Sequence, residues 1–593
     1  MITNKIEQLY FKWLIFITTT VFLLSVIGIY WRFDQLTVSI SLLLSAAISF
    51  HVPSSSFIKV DKDNNQLTII ALIIFLIQIS STFLVSFIPT FTYDEIAYSV
   101  SLPKHYVAAQ QFYYVDNYGP YSAFPQNYET LTSVSLLFFN SPVLAKVINY
   151  ILGFGMVLAA NRIAIQCGVS NKVSILAGIF VGCSTAYIIS LPIAKNDILN
   201  GFFQVWAIVI LVTYYRNKSI FLAGMIGALI GGAIGTKYNS IIFSIIPISA
   251  FITITHFSSM PFKDKLQRYF ALTFFIILAA FPWYLRNFIE FQNPFYPALN
   301  QIFLGKNLFN QIYINIFNEI FFHDIVDFTW DTGTIFTFFK KHIHSFGSVV
   351  SVLGFLGVCL SLTHKRELRF TALVLIAITV ITLRYGFWEP RYNIFLLVMI
   401  SVFAAFFCDE VFKLVKKNYH QFNINIALII LAVLFGALGF FRGADAYKTI
   451  EHSFLFNRTQ FLEANVPYWK VANFLNLNTP KNSKIGVGFG GNQMFYYLDR
   501  PYYHFHPMTE KGDLLSKTTP NDLLSLINLQ NIEYMAISNC CSYGHVEGKT
   551  PMLSVFMKHF YESITYLTQT GKFEKIAEIS DVIIYKIVRA DTK

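Results

Sequence analysis

The chain has 593 residues, of which 55% are hydrophobic, 17% aromatic and only 13% charged. That balance excludes a water-soluble protein: many apolar runs reach the roughly 20 residues a helix needs to cross about 30 Å of hydrocarbon. The formal charge of +11 is spread over short loops without a dense basic tract, which excludes nucleic acid as a partner and fits the excess of Lys and Arg in cytoplasmic loops.

In chain order, apolar runs and their polar breaks place about thirteen spans, near 11–31, 36–51, 67–89, 142–160, 173–193, 199–215, 219–235, 239–257, 268–287, 347–364, 369–385, 391–412 and 424–442. The first, from Phe11 to Trp31, is too long for a signal-peptide core, lacks a small-residue cleavage site and reads as a retained span. With the amino terminus in the cytoplasm, inside loops such as "YRNKS", "THKRELR" and "DEVFKLVKKNYHQ" all carry Lys or Arg. The outer face then receives the segments 90–141 and 288–346 and the tail. Residues 1–442 read as the membrane domain and 443–593 as an extracytoplasmic α/β domain. In that tail "KIGVGF", "EYMAIS" and "DVIIYKIV" read as strands and "PNDLLSLINLQN" as a helix. No internal or inverted repeat is visible. The six cysteines show no metal-ligand spacing, and the adjacent Cys540 and Cys541 do not suggest a disulfide framework.

The first residues that could carry chemistry are Asp94 and Glu95 in "FTYDEIAYSVSLP". A loop rich in Tyr, Pro, Asn and Gln follows them. Aromatic rings stack on pyranose faces and amides bond to hydroxyls, so a carboxylate beside such a surface can take a proton from an attacking hydroxyl. Further on, Lys195, Lys237, Arg286, Arg384 and Arg391 fall in outer turns where basic residues are disfavoured, and together they ask for an anionic partner. Arg384 and Arg391 rank first, because a planar guanidinium matches phosphate geometry. Asp197 either completes a pocket or pairs with Lys195, and Tyr238 shares a turn with Lys237. His323, Asp324, Asp327 and Asp331 are ligands of a type that suits a divalent metal, but their spacing also suits one face of an amphipathic helix; no cofactor is assigned. "GVGFGGNQ" lacks the full phosphate-loop patterns and reads as a strand-to-loop turn. "YYHFHP" places His504 and His506 at alternating strand positions.

Three stretches carry a resemblance. "YDE-x-x-Y" from Tyr93 to Tyr98, "FPWYLRNFIEFQNPFYP" at 281–297 and "WEPRYNIFLLV" at 388–398 occur in the order found in the GT-C glycosyltransferases. They are most similar to the group of protein O-mannosyltransferases and lipid A aminoarabinose transferases, over roughly residues 67–442. The resemblance implies transfer of a sugar from a polyprenyl-phosphate donor to a glycan, lipid or protein acceptor at the outer face of the cytoplasmic membrane. It implies Asp94 as base, Glu95 as a second acid that either orients its surroundings or binds acceptor, Tyr98 beside them, and Arg391 with Tyr392 as the family's Arg-Tyr. Two other classes remain: a transporter or flippase of lipid-linked glycans, and an O-antigen ligase or polymerase. A transporter would put ionisable groups near the midplane of broken helices, whereas here they crowd at the outer ends of spans. A ligase would carry its main loop late in the chain. Sugar, acceptor and polyprenol stay open.

Overall fold

A computed structural model describes residues 2–52, 64–299, 302–303, 331–363, 366–384, 389–451, 457–488, 491–505, 519–538 and 551–589. The chain forms two compact units: Met1–Ile88, Pro125–Tyr284 and Phe328–His452 make the first, and Pro89–Phe124, Leu285–Asp327 and Ser453–Lys593 the second. The segment expected as a single loop, 90–141, is therefore divided between them, and its first part shares a unit with the carboxy-terminal tail.

The first unit is helical. Among the described residues eight helices are long and apolar enough to cross a membrane, or nine if the bent pair Thr332–Phe346 and Ser348–Ser361 counts as one span. The chain is thus a multi-pass membrane protein; the described residues do not confirm the count of thirteen. Gln35–His51 and Ile220–Ile234 are shorter apolar helices. The run expected as a span at 173–193 is broken into Ile175–Gly182 and Thr185–Ile188. The break frees backbone carbonyls in an apolar setting, and the Arg442 guanidinium donates to one of them, Cys183 O, at 2.5 Å.

Close helix packing rests on small residues, as it does where lipid removes the hydrophobic drive between helices. A Cβ added to Gly357 would lie 2.0 Å from Phe403 O on the Ile394–Asn418 helix, and one on Gly354 2.8 Å from Ile400 O. In the Ile220–Ile234 helix, a Cβ on Gly227 or Gly231 would lie 2.3 Å from Leu272 O or 2.5 Å from Ile276 O. The end of this helix is tied to the start of Asn127–Phe139. The Asn127 backbone N–H donates to Gly235 O (3.1 Å), its side-chain amide donates to Gly232 O (3.0 Å), and its Oδ1 accepts from Trp283 Nε1 (2.9 Å).

In the second unit a five-stranded sheet has the order β2-β1-β3-β5-β4, with β1 Lys484–Val487, β2 Tyr502–His504, β3 Ile532–Ser538, β4 Phe573–Ile579 and β5 Val582–Ile587. β1 runs parallel to β2 and β3, and β5 antiparallel to β3 and β4. The three strands read from the sequence are present, as is the helix Pro520–Leu529, and His504 lies on a strand. β4 escaped notice because Glu574, Lys575 and Glu578 are exposed on this edge strand, where charge discourages pairing with other chains. At the opposite edge, Asn117 of the first-loop segment serves β2 as a short extra strand would: its amide donates to Tyr502 O (3.0 Å) and its Oδ1 accepts from His504 N (3.0 Å). The Tyr502 hydroxyl is shared with Tyr118 (2.7 Å) and His105 Nε2 (2.9 Å).

Two predictions follow from this packing. Gly357→Leu forces a side chain into a backbone carbonyl, and the thermal stability of the detergent-purified protein is expected to fall by the upper end of the about 1–3 kcal/mol typical of overpacking; an unchanged melting curve would contradict the close approach. Burial also pushes the His105 and His504 imidazoles down to about 4. As pH drops below about 6.5 the unfolded chain takes up protons that the folded unit refuses, so stability is lost between about pH 6.5 and 4. Hydrogen exchange in β2, corrected for its intrinsic pH dependence, should lose protection at pH ~5 relative to pH ~7.

Candidate functional site

Asp197 opens the helix Asp197–Arg216, with Lys195 two residues before it. Lys237 follows the Ile220–Ile234 helix, where its N–H donates to Ala233 O at 3.1 Å. A buried polar seam keeps the two backbone segments in register: Ser240 Oγ donates to Asn200 Oδ1 (2.5 Å), and Gln204 Nε2 donates to Ser240 Oγ (3.1 Å). This brings Lys237 Nζ to 2.6 Å from Asp197 Oδ1, with Lys195 Nζ 3.9 Å from Oδ2. Lys237 Nζ also sits 3.8 Å from the centre of the Tyr392 ring, and the Arg391 guanidinium 5.2 Å from the same ring. Arg391 acts electrostatically on Asp197 as well.

Five residues singled out from the sequence, Lys195, Asp197, Lys237, Arg391 and Tyr392, therefore meet in one place. Of the two possibilities open for Asp197, the pairing with Lys195 is present, yet its shorter contact is with Lys237. The Asp197 side chain is only 2% exposed and that of Lys237 20%, so the cluster is sunk in the bundle with one cation reaching toward its surface. Lys195, Lys237 and Arg391 all act on the Asp197 carboxylate, which gathers cations in an apolar bundle where they are rare. Tyr238 is adjacent in sequence, and its ring packs edge-on against Tyr284, 5.8 Å away. Arg384 is exposed in the last turn of the helix Arg366–Arg384. Glu389, near Arg391, is held by Lys341 at 2.5 Å.

The sequence reading passed over Glu129. It lies in the first turn of Asn127–Phe139, the helix that Asn127 fastens to Gly232 and Gly235, two residues short of Lys237. Its side chain is buried, and Oε2 has no hydrogen-bond partner among the described residues. Burial pushes its carboxyl up to about 8, against the pull of Lys237 and Lys195 and with a push from Asp197. In "FPQNYETL" it looks like an ordinary acid of a helix start, and nothing local in the chain points to its neighbours.

In the second unit the acid pair separates into two situations. Glu95 is fully buried and accepts from Thr92 Oγ1 (2.8 Å) and Thr92 N (3.4 Å), reaching back to cap the turn that starts at Thr92. Asp94, next to it, is half-buried at the head of the π-helical turn Glu95–Ser99, a local form that recurs at functional sites. Tyr98 stacks on Tyr121 with ring centres 4.7 Å apart. Tyr93 accepts from the Asn492 amide at 3.0 Å. A small pocket in this unit is lined by Asn117, Tyr118, Tyr121, Asn492, Phe495 and His504 among others, a mixture of rings and amides. Arg286 is buried and donates to Ser122 O (2.8 Å) and Asn287 Oδ1 (3.0 Å), while Asn287 donates to Ala123 O (2.8 Å). These bonds fasten the end of the first-loop segment. Of the residues weighed for a metal, Asp331 caps the helix Thr332–Phe346 through Thr334 N (2.8 Å). His323, Asp324 and Asp327, like His506, lie outside the described residues.

Neither a protein-family profile nor a curated protein sequence matches the chain. Solved structures do. ArnT from Cupriavidus metallidurans bound to undecaprenyl phosphate matches with a TM-score of 0.56 at 13% identity, over 88% of this chain and 97% of that one. The apo state of the same protein gives a TM-score of 0.57 at 12% identity, over 88% and 98%. The archaeal oligosaccharyltransferase AglB from Archaeoglobus fulgidus, in complex with an inhibitory peptide and a dolichol-phosphate, matches with a TM-score of 0.50 at 13% identity, over 83% and 72%. The fold is that of the GT-C glycosyltransferases.

The electrostatics of the cluster make a prediction about stability. Asp197→Ala leaves buried ammonium groups without their carboxylate and is expected to cost about 3–5 kcal/mol. A thermal unfolding midpoint equal to that of the wild type would show that Asp197 does not hold the lysines in place.

Proposed function

We propose that the chain is a membrane glycosyltransferase that moves a sugar from a polyprenyl-phosphate donor to a hydroxyl-bearing acceptor at the outer face of the cytoplasmic membrane. The observation that carries this reading is the buried cluster of Lys195, Lys237 and Arg391 around the carboxylate of Asp197. Such a cluster gathers cations in a protein that is otherwise apolar, and a lipid-borne phosphate is an anion able to reach it from within the membrane. The polyprenyl phosphates in the ArnT and AglB structures support the same class of ligand.

In this reading the cluster holds the donor's phosphate. Lys237 and Lys195 act as point charges, Arg391 offers planar donors, and Tyr392 supports Lys237 and Arg391 from beneath. As the bond from sugar to phosphate breaks, negative charge grows on the departing phosphate, and fixed cations lower that barrier. Asp94 takes the proton of the attacking hydroxyl, and its half-exposed position leaves it open to an acceptor. Glu95, which caps its own turn, holds that segment of backbone in place. The aromatic and amide pocket around Tyr121 and Asn492 is a surface of the kind that binds sugars, and we assign it to the acceptor. Arg286 fixes the first-loop segment.

Asp94→Asn should lower turnover of lipid-linked sugar by at least about 100-fold in reconstituted vesicles while donor binding is kept, the usual size of a lost general base; unchanged turnover would rule Asp94 out. Arg391→Ala should instead weaken donor binding, and a normal donor affinity in that variant would remove it from the phosphate site.

A further inference from the structure

The phosphate cluster has an acid that the reading above does not use. Glu129 is 2% exposed, its Oε2 has no hydrogen-bond partner among the described residues, and it lies in the field of Lys237, Asp197 and Lys195. Its position is not accidental packing. The Asn127 lock to Gly232, Gly235 and Trp283 fixes the first turn of its helix against the end of the segment that delivers Lys237. A buried polar atom left unmatched costs stability, so one kept at a charged cluster marks a place for a further group.

Resting on the assignment of this cluster to phosphate, we propose that Glu129 is a further phosphate-binding group of the site, working as a neutral hydrogen-bond donor through Oε2. An ionised carboxylate has no proton to give and would repel the phosphate, whereas a carboxylic acid donates. Burial favours the neutral form and sets its titration near 8, so the acid is mostly protonated at neutral pH. Uncharged, Glu129 adds no negative charge where the ligand binds. The Val143–Gln166 helix packed along it brings Lys146 and Arg162, the first helix Lys12, and the second helix Asp34, itself capped by Thr37 and paired with Arg32. The groups that act on Glu129 electrostatically are Lys237, Asp197 and Lys195.

The proposal is tested by binding of farnesyl phosphate to the full chain in nanodiscs, for wild type, Glu129→Gln and Glu129→Ala, between about pH 6.5 and 9. Gln is neutral and keeps a donor at every pH. Glu129→Gln should therefore bind much as wild type does at pH ~7, while the wild type weakens relative to it by roughly tenfold by pH ~9, as the acid ionises. Titration of the ligand and of the lysines is common to both proteins and cancels in the ratio. Glu129→Ala should be weaker than Glu129→Gln throughout. A ratio of wild type to Glu129→Gln that does not change with pH overturns the proposal, as does a Glu129→Gln protein no better than Glu129→Ala. Failure of the wild type to bind farnesyl phosphate at any pH overturns the phosphate reading of the cluster and this inference with it. Infrared difference spectra of the wild type alone provide a measurement that needs no folded variant. A protonated carboxylic acid band should disappear between about pH 7 and 9, and its absence at pH ~7 would sink the idea.

Discussion

The contact between Lys237 and Asp197 sets the character of the membrane unit, because two opposite charges buried in an apolar bundle are stable only with close geometry and complete surroundings. Everything around it serves that condition. The seam of Asn200, Ser240 and Gln204 holds the two segments in register, and Tyr392 offers a ring face to the ammonium. The glycines of Ile220–Ile234 let that helix approach the carbonyls of its neighbour closely enough to fix where Lys237 emerges. Lys195 and Arg391 act on the same carboxylate.

A different principle governs the second unit. Its hydrogen bonds between Asn117 and β2, and between the Tyr502 hydroxyl and Tyr118 and His105, join segments almost four hundred positions apart in the chain, as the 385-residue separation of Asn117 and Tyr502 shows. The first-loop segment is thereby part of the same folded body as the tail sheet, and Asp94 sits in a segment ordered by that body. Within the acid pair, Glu95 accepts from Thr92 of its own segment, while Asp94 beside it is half-exposed.

Several of these features were legible in advance, for reasons that differ. Spans are visible because hydropathy accumulates along the chain, and Lys195, Lys237 and Arg391 stood out because basic residues in short outer turns break a charge bias. The strands in "KIGVGF" and "DVIIYKIV" show as apolar runs, while β4 does not, since Glu574, Lys575 and Glu578 hide its pattern. The break after Gly182 was also invisible: the sequence stays apolar through it, and the Arg442 that satisfies the exposed carbonyl is 259 residues away. Arg286 reads as a candidate phosphate ligand from its place in an outer turn; its bond to Ser122 O ties it to the first-loop segment, which no local pattern reveals.

The sequence by itself determined the class of protein and the short inventory of polar residues from which a site can be made, because hydrophobicity and loop charge are sums over neighbouring positions. Tertiary structure alone decided which of those residues share a site, that Asp197 answers chiefly to Lys237 across 40 positions, and that Glu129 belongs with them. It also decided that burial pushes the Glu129 carboxyl up. Coulomb attraction and desolvation depend on distance and burial in space, and both are set by segments that the chain brings together only when it folds.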